Sequence, residues 1–293
     1  MSRARLETLR RPFTSSYLTY DQVVAQLQAW ADAFPDLARL ESIGRSGDGR
    51  DLWLLTLGGH ASRRRPAVWV DGNMHASEVA GSSVALQIAE DVLALHLDPD
   101  APLHGFSGAT RERLREVVFH VLPRMSPDGA EGVLTTGRYV RSNVRDQRPQ
   151  RHHARWMLHD VDGDGLILLM RKLDDGGDFV ESTGVPGLML PRTPWDAGPF
   201  YRVWPEGVVE PWDGFTVPDP HFLSDNDTDL NRNFPYKWGP IGVPGDSQYA
   251  GTGPASEPET QAMINFMTQL QPDITIWYHQ DLFVVNPSEG REG

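Results

Sequence analysis

The chain has 293 residues, of which 39% are hydrophobic, 9% aromatic and 23% charged. That composition supports a sizeable core and excludes disorder as the main state. Forty acidic against twenty-seven basic residues leave a net charge of −13, which excludes a generic nucleic-acid binder; the absence of cysteine excludes disulfides, thiol catalysis and Cys-zinc sites.

Residues 1–16 are basic with no apolar run behind them, so they predict an N-terminal extension and no signal peptide. Tyr20 to Phe34 predicts an amphipathic helix, because Val23, Val24, Leu27, Trp30 and Ala31 recur at helical spacing and Pro35 follows. Leu40 to Ile43 and Asp51 to Leu57 predict strands flanking the turn Gly44-Arg45-Ser46-Gly47-Asp48-Gly49. Pro66 to Asp71 reads as a buried strand, Glu78 to Leu97 as a helix, and Arg115 to Leu122 as a further strand. Ser256-Glu257-Pro258-Glu259 predicts a capping box opening a helix to about Leu270, and Asp273 to Tyr278 a last strand. Met125 to about Asp229 breaks this rhythm and predicts an irregular excursion with short elements that builds a wall of the site. The longest apolar runs, such as Val117 to Leu122, fall far short of the roughly 20 residues of a membrane span, so a soluble, cytoplasmic protein is expected.

Three short segments could carry chemistry. His75-Ala76-Ser77-Glu78 lies at a loop–helix junction, where a His and a Glu three apart can converge on one metal ion; such spacing alone also arises by chance. Asp229-Leu230-Asn231-Arg232-Asn233-Phe234-Pro235 holds an Asn-Arg pair able to clamp a carboxylate through a planar fork and an amide donor. His279 ends the last strand, and ligands of open α/β sheets bind outside the carboxyl ends of strands.

In this order, with Gly44-Arg45-Ser46, Gly49-Arg50 and Pro127-Asp128-Gly129, these segments resemble the zinc metallocarboxypeptidase family, the carboxypeptidase A/B superfamily, from about Tyr17 to Pro287. Strand–helix alternation and the resemblance together imply an α/β/α sandwich around a mixed, mostly parallel sheet. The domain would span 17–293, with an insertion at about 142–228. The resemblance implies one zinc ion held by His75, Glu78 and His279. It implies a peptide or protein substrate whose free C-terminal carboxylate meets Asn231 and Arg232. The oxyanion-stabilising arginine of the family falls on Arg141 by spacing or on Arg171 by local wording; Arg141 is preferred.

The family also places a clamping tyrosine and a general-base glutamate well downstream of its last histidine ligand. Here fourteen residues follow His279, with Glu289 and Glu292 the only glutamates, so an incomplete catalytic domain and slow turnover are expected. A catalytically dead binding module, and a zinc amidohydrolase acting on acyl-amino acids or cell-wall peptides, stand as alternatives. Asp160-Val161-Asp162-Gly163-Asp164-Gly165 opens like an EF-hand loop, but Arg171 takes the twelfth position, so a calcium site there would need other segments.

Overall fold

The computed structural model describes residues 3–58, 65–100, 103–137, 139–144, 156–215, 228–242 and 248–280. The first elements are α1 (Arg3–Leu9), α2 (Tyr20–Ala33), β1 (Ala38–Arg45), β2 (Asp51–Leu57), β3 (Ala67–Gly72), α3 (Ala80–Leu97), α4 (Gly108–Arg115), β4 (Val118–Leu122) and α5 (Pro127–Thr136). Then come β5 (Trp156–Leu158), β6 (Leu169–Leu173), β7 (Phe179–Glu181), β8 (Met189–Pro191), β9 (Phe200–Pro205), β10 (Gly207–Val209), α6 (Pro258–Leu270) and β11 (Ile274–Tyr278). A 3-10 turn, Leu230–Arg232, precedes α6.

The central sheet runs β1-β2-β4-β3-β11. It is mixed, as expected, but not mostly parallel. β4–β3 and β3–β11 pair parallel, whereas β1–β2 and β2–β4 pair antiparallel. The turn at Gly44 to Gly49 closes a hairpin, so β1 and β2 pair antiparallel. The three mutually parallel strands share one direction, and their carboxyl ends open on one edge: Gly72, Leu122 and Tyr278.

Alternation along β2 divides the core. Leu55 and Leu57 face α1, α2 and α3 in one cluster, with Trp30, Leu27 and Leu86. Leu52 and Leu54 face α6 in the other, with Trp69, Leu122 and Met263. These four leucines are fully buried, each contributing about 1.5–3 kcal/mol by removal from water. Helices therefore cover both faces of the sheet.

The segment before Tyr17 does not extend away. Leu6 and Phe13 are buried in the first cluster, and Arg10 Nε donates to Glu90 Oε1 at 2.7 Å. Two helices depart from the expected pattern. α4 buries no residue, so it has no apolar stripe to read. α5 opens with Pro127 at its first turn and carries two glycines, which mask its helical period. Among the described residues the excursion also forms short antiparallel sheets, β10-β5 and β6-β9-β7-β8.

The capping box at α6 does not form. Ser256 Oγ donates to Glu257 Oε1 at 2.9 Å, and Glu259 accepts from the Gly47 N–H at 3.0 Å. The carboxylate that would close the box anchors the β1–β2 turn instead.

Candidate metal centre and substrate cavity

The loop after β3 returns tightly into α3. A Cβ on Gly72 would collide with the backbone of Gly81, so two glycines let helix and strand cross at close range. Asn73, at φ 61°, donates from Nδ2 to the carbonyls of His75 at 2.8 Å and Ala76 at 2.9 Å. This turn holds His75 and Glu78 on one side. β11 lies beside β3 with Tyr278 opposite Gly72, which delivers His279 to the same place.

The three side chains converge. His75 Nδ1 lies 2.7 Å from Glu78 Oε1, His279 Nδ1 lies 2.8 Å from Glu78 Oε2, and the two Nδ1 atoms are 3.1 Å apart. Burial raises the Glu78 pKa, but hydrogen bonds from His279 and His75 outweigh it and hold the carboxyl at about 2. Two imidazole nitrogens and a permanently ionised carboxylate aimed at one point fit a divalent metal of zinc's ligand preference, with a coordination position left over.

Asp229, fully buried, stands behind this set. Its Oδ1 faces His75 Nε2 at 3.2 Å and accepts from the Asn231 N–H at 2.9 Å; its Oδ2 accepts from Arg141 Nη2 at 2.9 Å and Nε at 3.2 Å. A carboxylate on the outer nitrogen fixes the ring's tautomer and orientation and raises its basicity. Burial lowers the His75 pKa, but hydrogen bonds to Asp229 and Glu78 leave it raised above the ordinary value. Sequence reading assigned Asp229 no role. Its signal was local: an acid two residues before Asn231, at the mouth of a turn.

Arg141 is brought in by a strap laid over the metal loop. Ala76 N–H donates to the Arg141 carbonyl at 2.8 Å, and Ser77 N–H to the Val140 carbonyl at 3.1 Å. Gly129 lies beneath the strap, where a Cβ would collide with the Ser142 carbonyl and meet Ala76 Cβ at 2.6 Å. Arg141 also approaches Glu78, at 3.8 Å. Arg171 is not brought to this site. It lies on β6, donates to Glu181 at 2.7 Å and covers the Tyr201 ring at 5.1 Å.

Asn231 and Arg232 sit on the 3-10 turn. Asn233 locks it, donating to the Ala250 carbonyl at 2.8 Å and to Ser256 Oγ at 2.9 Å, and Phe234 stacks on Trp277 of β11 at 5.3 Å. The side chains of Asn231 and Arg232 have no hydrogen-bond partner among the described residues. They line a cavity of about 410 Å³ with His75, Ser77, Glu78, Tyr139, Arg141, His279 and Gln280. Of the excursion from Met125 to Asp229, Tyr139 and Arg141 reach this wall among the described residues. Glu289 and Glu292 lie outside the described residues.

In the aspartate-rich loop the carboxylates meet backbone donors and one acid from another segment. Asp160 accepts from the N–H groups of Gly163 at 2.7 Å and Gly165 at 2.8 Å, and Asp164 accepts from Leu166 at 2.8 Å. Glu206, not Asp164, is the third carboxylate beside Asp160 and Asp162. It accepts from the Val161 N–H at 2.6 Å and the Leu168 N–H at 3.0 Å. Backbone N–H groups thus donate to Asp160, Asp164 and Glu206.

The sequence model of the zinc carboxypeptidase family matches residues 23–174 and 208–286. The chain belongs to the zinc carboxypeptidase family. Its curated relatives include carboxypeptidase B of Astacus astacus, 31% identical over 127 residues, and the carboxypeptidase N catalytic chain of Rattus norvegicus, 32% identical over 140 residues. These matches cover 43% and 45% of this chain but 38% and 29% of the relatives, so the chain spans well under half of their length. Bovine thrombin-activatable fibrinolysis inhibitor, solved in complex with tick carboxypeptidase inhibitor, superposes with a TM-score of 0.55 at 17% identity. That match covers 92% of this chain and 62% of the other and establishes the shared fold. Among the described residues no helix is long and apolar enough to cross a membrane.

Proposed function

We propose that this chain binds one zinc ion through His75, Glu78 and His279 and acts on the C-terminal peptide bond of peptides or proteins. The observation that carries this reading is the cavity itself. The metal-ligand set shares it with a guanidinium and a carboxamide that no described residue engages. Inside a chain of net charge −13, Arg232, which no described residue pairs, attracts an anion only locally, and a terminal carboxylate matches its fork.

Zinc, when bound, supplies Lewis-acid polarisation and a water of pKa about 7. The remaining roles fall to the chain. Arg232 and Asn231 hold the carboxylate, so remote binding energy sets the position of the scissile carbonyl. Arg141, kept charged and oriented by Asp229, faces the cavity beside Glu78 and supplies donors for a developing oxyanion. Arg171, paired with Glu181 on a separate sheet, does not take this part.

Among the described residues Glu78 is the single carboxylate of the cavity lining, and both its oxygens are engaged by the histidines. The test is competition between a peptide acid and its C-terminal amide for the zinc-loaded chain, with Arg232→Gln beside wild type. The acid should bind much more tightly in wild type alone. Equal binding of acid and amide would refute the carboxylate clamp, and unchanged zinc stoichiometry in His75→Ala would refute the ligand set.

A further inference from the structure

The polar groups of the cavity fall into two kinds. His75, Glu78, His279, Arg141 and Ser77 are committed to one another or to the backbone. Tyr139, Asn231, Arg232 and Gln280 offer groups that no described residue engages. Asn231 and Arg232 are accounted for by the carboxylate clamp. Tyr139 and Gln280 are not.

Their place follows from the strap. Along residues 139–143 the chain runs from the metal loop to the 3-10 turn. Val140 pairs with Ser77, Arg141 with Ala76, Ser142 Oγ accepts from the Leu230 N–H at 3.3 Å, and Asn143 Oδ1 accepts from the Thr228 N–H at 3.1 Å. Val140 is buried, whereas its neighbours Tyr139 and Arg141 both line the cavity. Tyr139 thus stands at the end away from Asn231 and Arg232. Three Cα steps separate it from Ser142, at most about 11 Å.

Gln280 marks the same end. Its N–H donates to Glu78 Oε2 at 3.1 Å, and its Oε1 accepts from the Ala80 N–H of α3 at 3.4 Å. With the oxygen turned to α3, its amide nitrogen is a neutral donor that no described residue engages. The order along the cavity is therefore clamp, metal ligands, then a phenol and a carboxamide.

We infer that Tyr139 is a substrate-binding residue for the acyl side, its hydroxyl hydrogen-bonding the peptide backbone upstream of the bond to be cleaved. The inference rests on the carboxylate-clamp reading above and deepens it. An extended peptide anchored at Arg232 reaches Tyr139 with its second or third residue, at about 3.3–3.6 Å per residue. The preferred substrate is then a peptide with backbone on both sides of the scissile bond, not a simple acyl-amino acid. Both groups at this end are neutral, so the site reads backbone there and not charge.

The experiment is calorimetric binding to the zinc-loaded full chain, with no turnover required. Two ligands share a C-terminal phenylalanine carboxylate and a ketomethylene unit in place of the last amide. One ends at an acetyl-sized group; the other carries two further glycines upstream. Wild type should prefer the longer ligand. Tyr139→Phe should narrow that preference about twofold to tenfold, through the longer ligand alone, with zinc stoichiometry retained. An unchanged preference in Tyr139→Phe, or no preference in wild type, overturns the assignment. Arg232→Gln serves as the separate control. If it weakens both ligands while the Tyr139→Phe ratio stays fixed, only Tyr139 is wrong; if it weakens neither, the clamp reading falls and the Tyr139 inference with it.

Discussion

Replacing Asp229 with asparagine tests how the centre is held. The carboxylate serves four groups: His75 Nε2, the Asn231 N–H, and Arg141 through Nε and Nη2. An amide has one acceptor oxygen. If that oxygen faces His75 and Asn231, the NH2 group confronts the Arg141 guanidinium; if it faces Arg141, the NH2 confronts the outer nitrogen of His75. Breaking a buried ion pair costs about 3–5 kcal/mol when the remaining charge is fully desolvated. The Arg141 side chain is 19% exposed and keeps Glu78 at 3.8 Å, so about 2–3 kcal/mol is expected from urea denaturation of the metal-free chain. Loss of the outer partner of a metal-binding histidine lowers metal affinity about 10–100-fold. Competition against a chelator of known affinity measures this directly. A folded Asp229→Asn chain whose zinc affinity stays within about twofold of wild type would show that Asp229 does not support the centre.

Zinc binding should weaken as pH falls, because a proton on His75 Nδ1 occupies the ligand lone pair. Burial lowers that pKa and the Asp229 and Glu78 hydrogen bonds raise it more, so the loss should begin above the ordinary histidine value of 6.5, at about tenfold per pH unit. Asp229→Asn should move the onset down, and an onset unmoved in titrations of both proteins contradicts the coupling. Burial pushes Glu259 up to about 7, so its native carboxylate is disfavoured: the stability it supports is complete below pH 4.5 and lost as pH rises through 7. Glu259→Gln should accordingly gain over wild type between pH 5 and 8, by a limit on the order of 3 kcal/mol, and a gain independent of pH in thermal melts opposes this account. Gly129→Ala lies inside α5, where helix propensity alone favours alanine by about 1 kcal/mol; collision with the strap should reverse the sign and destabilise by about 1–3 kcal/mol. A raised melting temperature would mean that the strap gives way freely.

Much of this protein was legible in its sequence because local patterns carried it. The helix at Tyr20, the strands at Asp51 and Ala67 and the last helix follow from apolar spacing and breakers, which act over a few residues. His75, Glu78, Asn231, Arg232 and His279 stood out through the ordered resemblance of their segments to the zinc metallocarboxypeptidase family, and they line one cavity. Tertiary structure decided the rest. Strand direction came from the hairpin's place in the sheet, so the sheet proved half antiparallel. Arg141 and Arg171 carry the same side chain, and only the strap across Gly129 placed one in the cavity and left the other on a distant sheet. Asp229 meets His75 from 154 positions away, and Tyr139 reaches the cavity because Val140 turns inward. Such contacts depend on where separated segments cross, and no spacing within either segment encodes that crossing.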